Sequence, residues 1–173
     1  MLDPASAFDP LKAYTERPDD IGKRFWCQSL GAWCVIIKNL GATDIAAKNA
    51  CIASTTDSTS GGARISGTGG AEGNFAGIRP LAADSIAQNE YGAIIVAGPA
   101  SVVCNGTALV AEKPVITGTT AGGVQRAPSG TPADLAAVDT RTIALNNIIG
   151  YAQATVADTA TGIINIRNGA SVY

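Results

Sequence analysis

The side chains from which active sites are ordinarily built are sparse in this chain and widely spaced. There is no histidine among its 173 residues, which removes the commonest general base and the commonest metal ligand together. Ser/His/Asp and Cys/His nucleophile arrangements are thereby excluded. The acidic residues of the body, Asp44, Asp57, Glu72, Asp84, Glu90, Glu112, Asp134, Asp139 and Asp158, stand singly. Several fall in turn-like segments, where a carboxylate ordinarily caps local backbone. Glycoside hydrolysis needs two facing carboxylates at a defined separation, and no spacing here marks such a pair. The four cysteines, Cys27, Cys34, Cys51 and Cys104, lack the close CxxC pairing of a zinc site. They read as buried structural thiols, with a disulfide such as Cys27 to Cys34 as the alternative. No catalytic, metal-binding or cofactor-binding residue is therefore expected, and the chain is not expected to be an enzyme.

Ligand-binding signatures are equally thin. Gly67-Thr68-Gly69-Gly70-Ala71-Glu72-Gly73 has the glycines of a dinucleotide loop, but that loop must open a helix whose N-terminus meets the phosphates. The following Asn74-Phe75-Ala76-Gly77-Ile78-Arg79-Pro80 is not helical in pattern, so a hairpin loop is expected. No GxxxxGK[ST] occurs. Asn105-Gly106-Thr107 fits a glycosylation acceptor, but its hairpin role suffices. Trp26 and Trp33, the only tryptophans, are of a type that stacks on sugars. Their apolar surroundings favour core packing. Arg64, Arg79, Arg126, Arg141 and Arg167 are too scattered for a nucleic-acid patch and read as single solvated or interfacial arginines.

Composition bounds the partners. Hydrophobic residues make up 46% but aromatics only 5%, so the core must be built from Ala, Val and Ile, which suit a tightly packed sheet. Charged residues are 15% and the net charge is −2, which leaves no broad basic face to attract nucleic acid or an anionic membrane. The longest compact apolar run, Trp33 to Ile37, is far short of the roughly 20 residues that span a bilayer. Met1-Leu2-Asp3-Pro4 opens without a basic leader or apolar h-region, so synthesis in the cytoplasm without export is expected.

Residues 1–22 differ in kind from residues 23–173. Nine charges fall within the first 24 residues, from Asp3 to Arg24. Asp3-Pro4, Asp9-Pro10 and Arg17-Pro18 each bias the residue before proline away from helix. An extended arm is expected over 1–22, long enough when stretched to reach about 70 Å, against a radius of gyration near ~16 Å for a compact chain of this length. Phe8, Leu11 and Tyr14 are its large anchors. Together with Arg17 they are the candidate interface residues by which it grips a neighbouring molecule; the alternative is a frayed terminus or a strap across its own domain.

From Arg24 onward the pattern is strand, turn, strand. Phe25 to Leu30 and Ala32 to Asn39 are β-rich runs separated at Leu30-Gly31. Ser54 to Gly62 is a polar loop, and Ala63 to Ser66 and Phe75 to Leu81 are short strands around the Gly67 to Gly70 loop. Asn89 to Ala100 places one apolar strand before a Gly98-Pro99 corner. Asn105-Gly106 predicts a type I′ hairpin between Ala100 to Cys104 and Thr107 to Ala111. Val115 to Thr117 and Val124 to Arg126 continue the meander across Gly118 to Gly123. Thr131-Pro132 signals the one short helix, Pro132 to Val138. Ile148 to Val156 and Gly162 to Arg167 form a closing antiparallel pair, with Ile164 and Ile166 on one face and Asn165 and Arg167 on the other. The expectation is an all-β domain over 23–173, a compact antiparallel β-barrel or sandwich.

Several of these segments resemble the capsid decoration (cement or head-stabilisation) proteins of tailed bacteriophages. They are Gly41-Ala42-Thr43-Asp44-Ile45-Ala46-Ala47, Glu90-Tyr91-Gly92-Ala93-Ile94-Ile95-Val96-Ala97-Gly98-Pro99-Ala100, Thr119-Thr120-Ala121-Gly122-Gly123 and Ile149-Gly150-Tyr151-Ala152-Gln153-Ala154. The similar portion runs from about Gly41 to Arg167. The resemblance implies a small β-barrel or β-tulip domain that assembles as a homotrimer on the virion, binds the major capsid protein and locks the shell from outside, with no catalytic residue. The arm and the Trp/Cys-rich strand ahead of Gly41 depart from that pattern. The runner-up expectation is a head-fibre or tail-associated module that recognises host surface glycans.

Overall fold

Short runs of β-branched residues, punctuated by glycine and by Asx-type turns, give strands rather than helices. The computed structural model describes residues 8–53, 62–65, 75–118, 120–129 and 148–167, and among these there are eleven strands and no helix. In chain order they are β1 (Ala13–Tyr14), β2 (Arg24–Cys27), β3 (Ala32–Asn39), β4 (Ala50–Ala53), β5 (Gly62–Ile65), β6 (Phe75–Ile78), β7 (Tyr91–Val103), β8 (Pro114–Thr117), β9 (Val124–Arg126), β10 (Gly150–Ala152) and β11 (Thr161–Ile166). The helix expected at Pro132 to Val138 and the Gly67 to Gly73 loop lie outside the described residues, as does the loop expected at Ser54 to Gly62 except for Gly62, which opens β5.

The order β3-β5-β4-β6-β7 closes on itself, because β7 also pairs with β3, and the result is a five-stranded barrel. All its pairings are antiparallel except β3 with β5. Beyond the barrel the sheet continues as β7-β11-β10-β8-β9, while β2 extends it on the other side of β3. Of the expected barrel or sandwich, the described residues form a closed barrel from which further strands extend.

One strand builds both layers. β7 runs for 13 residues; its first half lies in the barrel, and its second half pairs with β11 from Gly98↔Ile166 to Val103↔Thr161. In the first half, Ile94 and Val96 join the barrel interior with Val35, Ile37, Ile45, Cys51, Ala63, Ala76 and Ile86. Ala93 and Ile95, on the opposite face, join a second core shared with Val115, Ala152, Ile164 and Ile166. Strict alternation would then send Val102 and Ala100 away from that second core, yet both belong to it. A β-bulge makes the difference. Trp33 pairs with Ala97 but Cys34 with Ile95, which inserts one extra residue and shifts the side-chain phase. Gly98 follows at φ +104°, so the Gly98-Pro99 step is a kink within one strand and not a corner that ends it.

The hairpin expected at Asn105-Gly106 does not form. A type I′ turn needs positive φ at both central residues, and only Gly106 has it, at 120°. Longer-range partners take the groups it would have used. The Asn105 N–H donates to Val124 O at 2.7 Å, Leu109 exchanges backbone bonds with Val156, and the Gly106 N–H donates to Asp158 Oδ1 at 2.9 Å. Nor do β5 and β6 pair with each other across the glycine loop. β4, which the sequence pattern did not single out, lies between them and pairs with both. The β2–β3, β8–β9 and β10–β11 pairs stand where they were expected. Along β11, Ile164 and Ile166 are buried while Thr161, Ile163 and Asn165 are exposed.

Candidate interface

Phe8, Leu11, Tyr14 and Arg17 lie on the chain segment that leads into β2. The described part of the expected arm, residues 8–22, contacts the body through defined bonds. β1 pairs antiparallel with β7, Ala13 opposite Gly92 and Tyr14 opposite Tyr91, and Ile21 bridges Ile36 of β3. The Phe8 and Tyr14 rings stack at 4.7 Å, and Phe8 meets Phe25 edge-on at 6.1 Å. Tyr14 Oη accepts the Asp9 N–H at 2.8 Å, which fixes the turn between the two rings.

Arg79 is the anchor of this segment. It is fully buried, not a solvated or interfacial arginine as its isolation in the sequence suggested. Its guanidinium donates only to main-chain carbonyls: Nε and Nη2 to Asp84 O (3.1 and 2.8 Å), Nη1 to Ala93 O (2.7 Å) and Pro10 O (3.0 Å), and Nη2 to Leu11 O (3.2 Å) and Lys12 O (3.1 Å). Three of these five carbonyls belong to the segment ahead of β1. Burial lowers the Arg79 pKa to about 10, so the group is still charged at neutral pH, and a buried cation requires the donors to be matched. Gly92 makes room for it: a Cβ there would stand 2.6 Å from Ile86 Cδ1 and 3.2 Å from Arg79 Nη1. The Glu90-Tyr91-Gly92 motif thus leads into β7 at the point where the arm docks. A signal for this was present, an arginine flanked by Gly77-Ile78 and Pro80, an apolar setting in which charge is unusual.

Phe8, Tyr14 and Arg17 line one cleft of about 490 Å³, together with Glu16, Pro18, Asp19, Asp20 and Ile36. Leu11 is not among its lining residues and is half-buried. Arg17 is exposed. Asp20 Oδ1 accepts from Lys23 Nζ at 2.6 Å, and this partner raises the Lys23 pKa.

The tryptophans are not core residues. Trp26 and Trp33 face each other across β2 and β3, ring to ring at 5.7 Å and 69°, and are 52% and 46% exposed. The alternation of the hairpin explains it. Phe25↔Cys34 and Cys27↔Ala32 occupy the core side, so the intervening pair must face outward. Counting by twos from Cys27 would have placed Trp26 outside; the apolar neighbourhood misled. All four cysteines are free and buried, and Cys27 Sγ lies 3.2 Å from Ser29 Oγ. Asp158 caps backbone, accepting from the Gly106 and Thr159 N–H groups.

A solved structure similar to this chain is the head fiber gp8.5 N base of bacteriophage phi29. The likeness covers 77% of this chain and 92% of that one, at 12% sequence identity and a TM-score of 0.45. At that level no residue role passes from one to the other. No protein-family model and no curated protein matches the sequence.

Proposed function

We propose that this chain is a structural protein of a tailed-phage virion. In this reading it binds the outer surface of the capsid and stabilises contacts between major capsid protein subunits, as a homotrimer and without catalytic turnover. It is made in the host cytoplasm and ends on the virion; its partners are the major capsid protein and itself, not nucleic acid or membrane. The observation that carries the reading is the resemblance in sequence, and its longest segment falls on the strand that organises the fold. Glu90 to Ala100 leads into and forms most of β7, which is shared by both cores. A charge-poor body supports it, since a surface with few charges packs flush against a shell with little desolvation cost. Several modest contacts per trimer give lasting attachment through effective concentration.

A second reading, a head-fibre or tail-associated module for host glycans, is favoured by the exposed Trp26–Trp33 pair, since exposed aromatic faces suit sugar stacking. One experiment separates the two. Purified protein is mixed with undecorated capsids and sedimented, and a parallel sample is titrated with oligosaccharides while tryptophan fluorescence, excited selectively over tyrosine, is followed; Trp26 and Trp33 are the chain's only tryptophans. Saturable co-sedimentation of trimers supports the capsid reading. Protein left in the supernatant, with saturable quenching by sugar, replaces it with the glycan reading.

A further inference from the structure

The cleft at the end of the arm has a chemistry of its own. The stacked rings of Phe8 and Tyr14 line it with Ile36 and Pro18, and Glu16, Asp19, Asp20 and Arg17 complete the lining. Asp20 is engaged by Lys23. Among the described residues Glu16 and Asp19 form no ion pair, although Asp19 lies near enough to Lys23 to raise its pKa. Three carboxylates therefore stand against the guanidinium of Arg17 and the ammonium of Lys23, which leaves the cleft with an excess of negative charge. Aromatic faces flanked by surplus carboxylates attract a cation on an apolar stem: the rings cover the methylenes and attract the charge, and the carboxylates neutralise it. The volume lies within the usual range for ligand clefts.

We propose that this cleft receives a lysine or arginine side chain from an exposed basic segment of a partner protein. The proposal deepens the capsid reading and rests on it for the partner's identity, a shell subunit, though not for the chemistry of the contact. It specifies what the shell must offer: a basic side chain that protrudes far enough to reach between the Phe8–Tyr14 stack and residues 16–20.

The test uses the full chain, carbon-13 labelled at isoleucine and tyrosine and titrated with acetylated, amidated Gly-Lys-Gly and Gly-Arg-Gly, with the norleucine tripeptide as uncharged control. Saturable shifts at Ile36 and Tyr14 are expected with the basic peptides, weakened by added salt and absent with norleucine. Glu16→Gln with Asp19→Asn alters only exposed side chains, leaves the rest of the spectrum in place, and lowers affinity about fivefold or more. Equal binding of the norleucine peptide, an undiminished affinity in the double variant, or no saturable shift with either basic peptide overturns the proposal. The two readings fail separately. If the double variant co-sediments with capsids as well as the native chain does, the cleft is not the contact and the capsid reading stands. If the native chain leaves capsids unbound yet takes up the basic peptides, the capsid reading falls and the cleft chemistry stands.

Discussion

Cys34 and Cys51 have no solvent exposure, and removal from water pushes both thiols up from 9.0 to about 12. A neighbouring Cys27 adds to the effect at Cys34, while the charge of Arg79 opposes it at Cys51. The thiolate, not the thiol, is the reactive form. The folded protein should therefore resist a thiol-directed reagent at pH 8 and release four reactive thiols on denaturation; rapid labelling of the native chain would contradict the burial. The same shifts set a pH dependence. Below about pH 9 both folded and unfolded chains hold these protons, and the two groups add no slope. Above it the unfolded chain ionises first, so their contribution to stability falls as pH rises from about 9 to 12. Denaturant melts at stepped pH should show less of this decline in a Cys34→Ala, Cys51→Ala chain than in the native one. Identical slopes would mean that the two thiols ionise as readily when folded.

The elements show where period-two reasoning holds and where it stops. β11 was legible because its alternation is uninterrupted: Ile164 and Ile166 in, Asn165 out. In sequence β7 reads as a strand that meets a corner at Gly98-Pro99, because nothing local announces a bulge whose extra residue is defined only by the register against Trp33 and Cys34. β4 escaped notice since Ala50-Cys51-Ile52-Ala53 is short and carries no alternation, being buried nearly throughout. The arm cleft was half legible. Its aromatic residues stood out as anchors, but Arg79, which holds the segment down, is distant in sequence and gains its partners only on folding. At this scale Gly98 is the residue to change. A side chain there is strained at φ +104°, and its Cβ would lie 3.2 Å from Ala32 Cα and 3.3 Å from Gly31 O. Gly98→Ala should destabilise the fold by about 1–3 kcal/mol, read as a lowered denaturation midpoint. A neutral result would show that the bulge alone carries the phase shift between the two cores.

For the whole molecule, the question is whether the arm is an appendage or part of the fold. Phe8 packs against the core shared by the barrel and the outer sheet, and Pro10, Leu11 and Lys12 supply three of the five carbonyls that accept hydrogen bonds from the Arg79 guanidinium. Removing residues 1–22 would strip these partners from a buried cation, at a cost of about 3–5 kcal/mol. The 1–22 deletion should unfold well below the native chain in thermal or denaturant melts. Arg79→Met separates the charge from the rest of the arm's packing, because it removes the group that requires the carbonyls. In the native chain the substitution should destabilise; in the 1–22 deletion it should restore part of the loss, a coupling that a double-mutant cycle measures directly. If the two effects simply add, the guanidinium is not what ties the arm to the barrel. If the 1–22 deletion melts like the native chain and loses only capsid binding or oligomerisation, the arm is an appendage after all, and its contacts with the body contribute little to the fold.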